Sequence, residues 1–318
     1  MKKLILISFL CGLILPVLFM AFAMHWQEEN LPQLAAVEEQ EETQAAVQEE
    51  QILVQAADGS VQSMDMGEYL TCVVLAEMPV DFREEALKAQ AVVARTYAMK
   101  RLENGSKHDS GAVCMEASCC QGYRSVEAFL ADGGTQESVD KVSDAVESTA
   151  GQVLTYDGSL IDATYFSCSG GSTEAAVAVW GTDVPYLQVV ESPGEEEATH
   201  YTDEVRFTAE EFADALGFSN DGDPEDWFGD VTYTDGGGVE TMEICGDEYE
   251  GTDLRLLLGL RSTVFEVEVD ADEIVIVTHG FGHRVGMSQY GAQAMAEEGS
   301  TYEEILAHYY QGTVLETR

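Results

Sequence analysis

One glutamate, Glu77, stands in the short motif Ala76-Glu77-Met78-Pro79, which joins a carboxyl group to apolar neighbours. Apolar surroundings favour the protonated form of a carboxyl, and a carboxyl that stays protonated can act as a general acid. The chain contains 59 Asp and Glu residues, so residue type alone would not distinguish this one. Residue type and apolar neighbours are compatible with proton transfer by Glu77 but do not by themselves assign that role to it.

Basic residues are concentrated just after this motif. Six of the fifteen Lys and Arg residues lie between Arg83 and Lys107, in a chain whose formal net charge is −44. Lys88 and Arg95 are seven residues apart, which places them on one face of a helix. We expect either a solvated face that pairs with the protein's own carboxylates or two cations that orient an anionic group of a substrate.

His108, Cys114 and Cys120 follow the pattern H-x5-C-x5-C. Imidazole and thiolate ligands suit Zn²⁺, and three protein ligands would leave a fourth position open for water or for Glu77. The alternatives are reduced structural thiols or a disulfide of an exported protein, including a link between the neighbours Cys119 and Cys120.

The N-terminus predicts export. Two lysines precede an apolar run over residues 4–23, which is long enough to span a bilayer. We interpret residues 1–23 as a signal anchor, while the sequence Ala21-Phe22-Ala23 would also suit signal-peptide cleavage. The protein would then be a single-pass protein of the cell membrane with an extracytoplasmic domain.

Composition defines the rest of the chain. Residues 24–50 contain eight glutamates and no Lys or Arg, which predicts a flexible, solvated spacer. Residues 51–318 are long enough for a large folded domain, and the 45% apolar content of the chain excludes wholesale disorder. The strong negative charge excludes nucleic acid as a partner, because the phosphate backbone would repel it.

Both helices and strands are predicted to position these groups. Asp81 and Glu84 form a D-x-x-E capping box, which predicts a helix to about Leu102 that carries both cations. Val264 to Val277 alternates as strands do, and Ser288 predicts the start of a later helix. Strands and helices follow one another without βαβ periodicity, so the predicted class is α+β in one large domain.

Three stretches together resemble the stage II sporulation protein D family of peptidoglycan lytic transglycosylases. They are residues 69–97, which include the AEMP motif, residues 165–180 (YFSCSGGSTEAAVAVW) and residues 255–292, which include HGFGHRVGMSQYG. They occur in family order and bracket nearly all of residues 51–318. One departure is Arg284, which stands where a glycine is usual.

The resemblance implies a reaction. Members of this family cut glycan strands between N-acetylmuramic acid and N-acetylglucosamine and leave a 1,6-anhydro end. It places the catalytic acid on Glu77, which would serve as acid and then as base because the sugar's own 6-hydroxyl attacks. It also implies substrate-binding or Glu77-orienting roles for Lys88 and Arg95, so loss of either charge should weaken cleavage, whereas Lys107 should matter little.

The resemblance also implies further substrate-binding residues. It assigns His283, Ser288 and Gln289 to the cleft, with buried residues that pack the turn as the alternative. The small-residue loop around Ser169 would let backbone approach the substrate. His283 and His279 are not expected to chelate metal, because the glycines between them prevent a helix.

Zinc and partners complete the expectations. Some family members bind zinc beside the cleft through the pattern of His108, Cys114 and Cys120. Here a bound Zn²⁺ would be structural or inhibitory and not required for the chemistry, so its removal should leave cleavage unchanged or faster. The expected partner is the peptidoglycan glycan strand, in sporulation-linked wall remodelling.

Two other functions compete with this one. Relatives of the same pattern act as wall-binding modifiers that stimulate an N-acetylmuramoyl-L-alanine amidase. A zinc amidase or peptidase built on the His-Cys-Cys set is a third class, although the set lacks an oxygen ligand at usable spacing.

Overall fold

The computed structural model describes residues 51–192, 194–219, 222–271 and 273–318. The predicted anchor (1–23) and spacer (24–50) lie outside the described residues. Among the residues it does describe, no helix has the length and apolar character needed to cross a membrane. From residue 50 onward the chain forms one compact unit of the expected α+β class.

The described helices are, in chain order, α1 (Met66–Glu77), α2 (Glu84–Asn104), α3 (Val126–Ala131), α4 (Gln136–Glu147), α5 (Ala176–Trp180), α6 (Ala209–Leu216), α7 (Gly251–Leu257), α8 (Gln289–Glu297) and α9 (Tyr302–Tyr309). The described strands are β1 (Gln51–Gln55), β2 (Val61–Asp65), β3 (Val113–Cys114), β4 (Gln152–Tyr156), β5 (Ser159–Leu160), β6 (Tyr165–Phe166), β7 (Gly171–Ser172), β8 (Glu191–Ser192), β9 (Thr202–Thr208), β10 (Phe228–Tyr233), β11 (Val239–Ile244), β12 (Asp247–Glu250), β13 (Val264–Asp270), β14 (Glu273–His279), β15 (Met287–Ser288) and β16 (Val314–Thr317).

Residues 51–201 and 280–318 form the helical body. Its centre is α2, which packs against α1, α4, α8, α9 and β4. Five alanines of α2 are fully buried, and such small side chains let neighbouring elements approach closely on several sides. Short sheets in the orders β2-β1-β3 and β16-β4-β5 cover the helices, and β6 pairs with β15 in parallel.

Residues 202–279 form the acidic lobe, which has a hydrophobic core of its own. An antiparallel sheet in the order β13-β14-β9 and a meander of β10, β11 and β12 enclose this core. The Phe212 ring lies at its centre, 6.3 Å from the Trp227 ring and 5.6 Å from the Phe228 ring. Along β13 the side chain of Phe265 is buried, whereas Glu266 and Glu268 are exposed. The alternation predicted from the sequence is therefore confirmed.

Arg284 joins the body to the lobe. Its side chain is fully buried, and its guanidinium donates to Ser169 O and Ser172 O of the body and to Gly236 O of the lobe. It also forms an ion pair with Glu174, at 2.9 Å. The backbone of Arg284 has φ +65°, a left-handed conformation that glycine adopts most easily. A glycine, the residue that the family resemblance leads us to expect here, would adopt this backbone conformation without strain.

Of the two helix starts predicted above, one agrees with the structure and the other does not. Ser288 is the N-cap of α8, as predicted, and accepts a hydrogen bond from the Gly291 N–H. The predicted capping box of Asp81 and Glu84 is wrong, because the N-cap of α2 is Arg83, which makes no side-chain capping bond. Instead, the Arg83 N–H donates to Gln293 Oε1 at 2.7 Å, so a tertiary contact fixes the start of α2.

Candidate active site

A cleft of about 730 Å³ opens in the helical body beside the end of α1. Its lining combines a carboxyl group, basic side chains, aromatic rings and two thiols. Among the described residues that line it, Glu77 is the only acid. The lining includes Glu77, Tyr97, Arg101, Lys107, Cys119, Cys120, Tyr165, Phe166, Trp180, Phe281, His283 and Gln289.

Glu77 is the last residue of α1, and Met78 and Pro79 end the helix there. Its Oε1 accepts a hydrogen bond from the Gly122 N–H at 2.5 Å. A Cβ at position 122 would lie 2.8 Å from that oxygen, so only glycine lets the backbone come this close. The apolar setting expected from the motif is thin, because Ala76 and Pro79 are exposed and only Met78 is buried.

Tyr165 lies beside the Glu77 carboxyl. Burial, and then the negative charge of Glu77, raise the pKa of Tyr165 well above its usual range. The Tyr165 hydroxyl accepts from Gln121 Nε2 at 3.4 Å, and Gln121 Oε1 accepts from the Tyr69 hydroxyl at 3.2 Å. Two consecutive loop residues, Gln121 and Gly122, therefore position the candidate acid.

The pairing of β15 with β6 brings the C-terminal motif to the cleft. Met287 lies opposite Tyr165 and Ser288 opposite Phe166, which places Gln289 in the cleft wall. Gln289 is only 6% exposed, and within the described part of the chain its Nε2 has no hydrogen-bond partner. A buried amide donor without a partner costs free energy, so this N–H is available to a ligand.

Ser288, which was predicted to bind substrate, has a different role. It is fully buried, and its hydroxyl donates to Ser167 O in addition to capping α8. It therefore supports the cleft wall and does not line it.

His283 lines the cleft between two aromatic rings. Its ring centroid lies 5.3 Å from that of Trp180 and 5.7 Å from that of Phe166. Burial, and then the Arg255 guanidinium, lower the pKa of His283 to about 4, so the ring is neutral at pH 7. Its Nδ1 accepts from the Val285 N–H at 3.1 Å, which leaves the neutral ring a proton on Nε2. His283 thus packs the cleft wall as a neutral ring.

The structure does not place Lys88 or Arg95 at the cleft. Lys88 forms ion pairs with Glu84 at 2.7 Å and Glu85 at 3.0 Å, both in the first turn of α2. This agrees with the alternative expectation, a helix face that pairs with the protein's own carboxylates. Arg95 is 1% exposed, and its guanidinium donates to Thr149 O and Val146 O at the end of α4. Because its charge is committed to buried carbonyls, Arg95 is a structural residue.

Two other basic residues take the place expected for this pair. Arg101 lines the cleft with its guanidinium 4.8 Å from the Tyr97 ring centroid, and it approaches Asp162 at 3.9 Å. Lys107, expected to matter little, also lines the cleft and donates to Cys119 O. The sequence marked this basic segment, but its spacing could not show which members reach the cleft.

Ser169, another predicted substrate contact, is fully buried away from the cleft. Its hydroxyl donates to Glu195 Oε2 at 2.8 Å and accepts from the Gly171 N–H at 3.0 Å. Glu195 Oε1 accepts in turn from the Ser192 hydroxyl. Within the described residues, Ser169 of the small-residue loop therefore binds a buried carboxylate, and the approach of this loop to substrate stays a prediction.

The predicted metal ligands converge, and Cys119 joins them. One ligand atom from each of His108, Cys114, Cys119 and Cys120 lies within 4.8 Å of the others. The thiol sulfurs of Cys119 and Cys120 lie 3.6 Å and 3.7 Å from His108 Nε2. Zinc bonds of about 2.3 Å to sulfur and 2.0–2.1 Å to nitrogen give a tetrahedral S···N edge of about 3.5 Å. The four residues therefore fit a Cys₃His zinc site without an open position, whereas the sequence predicted three ligands and an open one.

Cys119 enters this group because the chain turns sharply before it. The N–H groups of Cys119 and Cys120 both donate to Glu116 O, at 2.9 Å each, so that consecutive side chains reach one point. The prediction from the sequence relied on equal spacing, which includes Cys120 as a ligand but not its neighbour Cys119. The site lies directly before Gln121 and Gly122, and thus before the segment that holds Glu77.

Known proteins resemble this chain over most of its length. A family model described as stage II sporulation protein matches residues 55–156. Stage II sporulation protein D of Bacillus subtilis is 41% identical over 262 residues, which cover 81% of this chain and 76% of that protein. The protein of the same name from Bacillus amyloliquefaciens is 40% identical over 258 residues, which cover 80% and 74%.

A more distant relative carries another name. The amidase enhancer of Bacillus subtilis is 29% identical over 302 residues, which cover 76% of this chain and 39% of that protein. The higher identity to the two sporulation proteins extends over about three quarters of each of them. This establishes that the chain belongs to the stage II sporulation protein D family.

Proposed function

We propose that this protein is a lytic transglycosylase that cleaves peptidoglycan glycan strands between N-acetylmuramic acid and N-acetylglucosamine. The observation that carries the proposal is that Glu77 is the only acid among the described residues of the cleft. Most glycoside hydrolases need two carboxylates, the second of which attacks the sugar or activates water. A site with one carboxylate suits a reaction in which the substrate supplies the nucleophile.

The bond changes balance without water. Glu77 donates a proton to the glycosidic oxygen as the bond from that oxygen to the muramyl C1 breaks. The muramyl 6-hydroxyl oxygen forms a new bond to C1, and its proton passes to Glu77. The acid is thereby regenerated, and the product carries a 1,6-anhydro ring.

The other cleft residues bind and orient in this scheme. The Gly122 N–H holds the Glu77 carboxyl, which keeps the proton at a fixed distance from the scissile bond, and Tyr165 lies beside it. The unpartnered Nε2 of Gln289 can donate to an acetamido or hydroxyl oxygen of the strand. Arg101 and Lys107 provide positive charge for a lactyl or stem carboxylate.

Zinc would have a supporting role. His108, Cys114, Cys119 and Cys120 would hold it, and in a closed site zinc supplies folding energy and no reactive water. A hydrolytic zinc needs an open position, so the closed set speaks against the amidase or peptidase alternative. Because the next residues hold Glu77, loss of the metal should lower cleavage, contrary to the expectation from the sequence.

We place this activity in sporulation-linked wall remodelling, outside the cytoplasm and tethered by residues 1–23. The names of the most similar relatives support the sporulation setting. The apolar N-terminal run supports the tether and the extracytoplasmic location.

The direct test is digestion of peptide-free glycan strands by the purified protein, with mass spectrometry of the new ends. Anhydromuramyl ends are the expected product. Reducing ends formed with uptake of water would indicate a hydrolase and would overturn the proposed reaction.

The amidase-enhancer relative supports a second candidate. In that case the protein would bind the wall and stimulate an N-acetylmuramoyl-L-alanine amidase without cutting strands itself. The same digestion separates the two, because an enhancer releases no product alone but raises the rate of added amidase. Glu77→Gln should abolish the first activity and leave the second intact.

A further inference from the structure

A second cavity adjoins the cleft and shares one residue with it. Its volume is about 480 Å³, within the range of sites that bind small molecules. Trp180, the last residue of α5, lines both cavities. A ligand that extends from Glu77 past Trp180 would therefore enter the second cavity.

The indole of Trp180 is presented to solvent. Trp180 is 46% exposed although it is a large aromatic residue, and Val177, one turn earlier on the same side of α5, is 49% exposed. The His283 ring supports the indole from the cleft side, with 5.3 Å between the centroids. A fixed, exposed aromatic ring beside an aliphatic side chain is a flat apolar platform.

The remaining lining of the second cavity is mainly polar and includes no Lys or Arg. It includes the hydroxyls of four threonines, Thr234, Thr241, Thr252 and Thr263, and three carboxylates, Glu174, Glu240 and Glu250. Its other members are Ala178, Val179, Gly181 and Val239. Glu174 is 98% buried, and within the described residues its Oε2 has no hydrogen-bond partner, although Oε1 accepts from Thr234 and Arg284. The cavity therefore offers mainly oxygen acceptors and hydroxyls beside the apolar platform.

This chemistry selects one class of ligand. Glu174 is paired with the buried Arg284, but the exposed carboxylates of Glu240 and Glu250 would still repel a phosphate or a carboxylate, and no Lys or Arg lines the cavity. A divalent cation is disfavoured, because the metal-like grouping of acidic, His and Cys side chains in the described residues is the one at His108. A pyranose ring fits, since it has an apolar face for the indole and peripheral hydroxyls that donate to carboxylates.

We infer that Trp180 and this second cavity form a subsite for a neutral sugar, of the N-acetylglucosamine type, on the strand that is cut at Glu77. The inference rests on the proposed function for its substrate and extends it. Positive charge lies in the first cavity and is absent from the second, so the subsite fixes how the strand runs through the site. Strands too short to reach past Trp180 lose this contact.

The experiment uses the full chain with Glu77→Gln, so that no substrate is consumed. Calorimetry measures binding of the N-acetylglucosamine dimer and hexamer, which are neutral probes. Adding Trp180→Ala should weaken hexamer binding by about tenfold and dimer binding by much less, because only the hexamer reaches past Trp180 into the second cavity. Trp180→Phe should restore most of the lost affinity, and Thr252→Val should produce a smaller loss for the hexamer alone.

Val314→Ala is the matched control, because Val314 is 58% exposed on β16 and lines neither cavity. It should bind both oligomers like the parent. Equal losses for dimer and hexamer in Trp180→Ala would confine Trp180 to the cleavage cleft and overturn the subsite. Unchanged binding of both would overturn it as well, and would leave the second cavity to a protein partner.

The two proposals can fail separately. If the protein with Glu77 intact leaves strands uncut but Trp180→Ala still removes the preference for the hexamer, the reaction is wrong and the subsite stands. If strands are cut to anhydro ends at a rate that does not depend on strand length or on Trp180, the reaction stands and the subsite is wrong.

Discussion

The helical body and the acidic lobe differ in where some of their charged side chains lie. In the body, some charged side chains are buried against carbonyls, as Arg95 is, or line the cleft, as Glu77 and Arg101 do. Residues 202–279 carry 22 Asp and Glu against three Arg, and along β13 the acids occupy the exposed positions. The lobe keeps its acids in water over an aromatic core centred on Phe212.

This difference shows that the abundance of a residue type is a poor guide to function in this protein. Most of its acids solvate a surface, and the one acid of the cleft is distinguished by the donors around it. The same holds for the basic residues, because position relative to the cleft separates Arg101 from Lys88 although both lie on α2.

The largest expected effect is on catalysis. Glu77→Gln should fold normally and lower strand cleavage by about 10²–10⁴, the usual contribution of a positioned general acid. Glu268→Gln removes an exposed lobe carboxylate and should leave the rate unchanged. If the two variants cleaved strands at comparable rates, Glu77 would not be the general acid. The contrast between a cleft carboxylate of the body and a surface carboxylate of the lobe would then not hold.

Next is the stability of the junction. Arg284→Met leaves Glu174 buried without its cation and should lower the free energy of unfolding by about 3–5 kcal/mol in urea titrations. Arg206→Met removes an exposed lobe arginine paired with Glu204 and Glu273, and should lower the free energy of unfolding far less. Adding Glu174→Gln to Arg284→Met should recover part of the loss. If the two arginine variants lost the same free energy of unfolding, burial of the arginine would not determine its contribution to stability.

A third prediction concerns the metal site. Protein loaded with Co²⁺ under reducing conditions should show thiolate charge-transfer absorption that falls by roughly one third in Cys119→Ser, since one of three sulfur ligands is lost. Cys245→Ser changes an exposed lobe thiol and should leave the spectrum unaltered. An unchanged spectrum in Cys119→Ser would return the site to the three-ligand form.

Charge in the cleft should have a smaller effect. Arg101→Gln and Lys107→Gln should each lower kcat/KM on peptide-free strands by roughly tenfold, the value of one charged hydrogen bond. Lys88→Gln, on the same basic segment but paired with Glu84 and Glu85, should change it little. The opposite order would support the original reading of Lys88 as a substrate contact.

The smallest effect is on pH dependence. The pKa of His283 is lowered to about 4 in the folded protein, whereas the unfolded chain binds this proton near pH 6.5. The neutral ring therefore makes its full contribution to stability above about pH 6.5, and this contribution is lost as the pH falls towards 4. The free energy of unfolding should decrease by about 1–2 kcal/mol between pH 7 and pH 5. His283→Gln should flatten the stability profile by that amount, and identical profiles would contradict the assigned neutral ring.

Local signals in the sequence predicted local structure well. The alternation in β13 and β14 and the cap at Ser288 depend on neighbours along the chain, and all are present. The capping box at Asp81 failed because Gln293, more than two hundred residues away, binds the Arg83 N–H. Tertiary contacts decide such boundaries, and no local pattern contains them.

The candidate site was predictable only where a motif marked it. Glu77, His283 and Gln289 lie in the cleft, as the resemblance implied. The spacing of Lys88 and Arg95 defined a helix face but not what that face contacts, and α2 is buried on several sides. The contacts around Glu77 join segments that are distant in the sequence, through Tyr165, Gln121 and Gly122. The spacing of these residues therefore could not predict their roles.

Arg284 has a consequence for how the molecule melts. Its guanidinium bonds at once to carbonyls of residues 169 and 172 in the body and of residue 236 in the lobe. If either hydrophobic core unfolded alone, the buried Arg284 guanidinium would lose some of its hydrogen-bond acceptors. The free-energy cost of a buried charge without acceptors opposes such partial unfolding. We therefore expect the two cores to behave as a single cooperative unit, with one calorimetric transition in which neither core outlives the other.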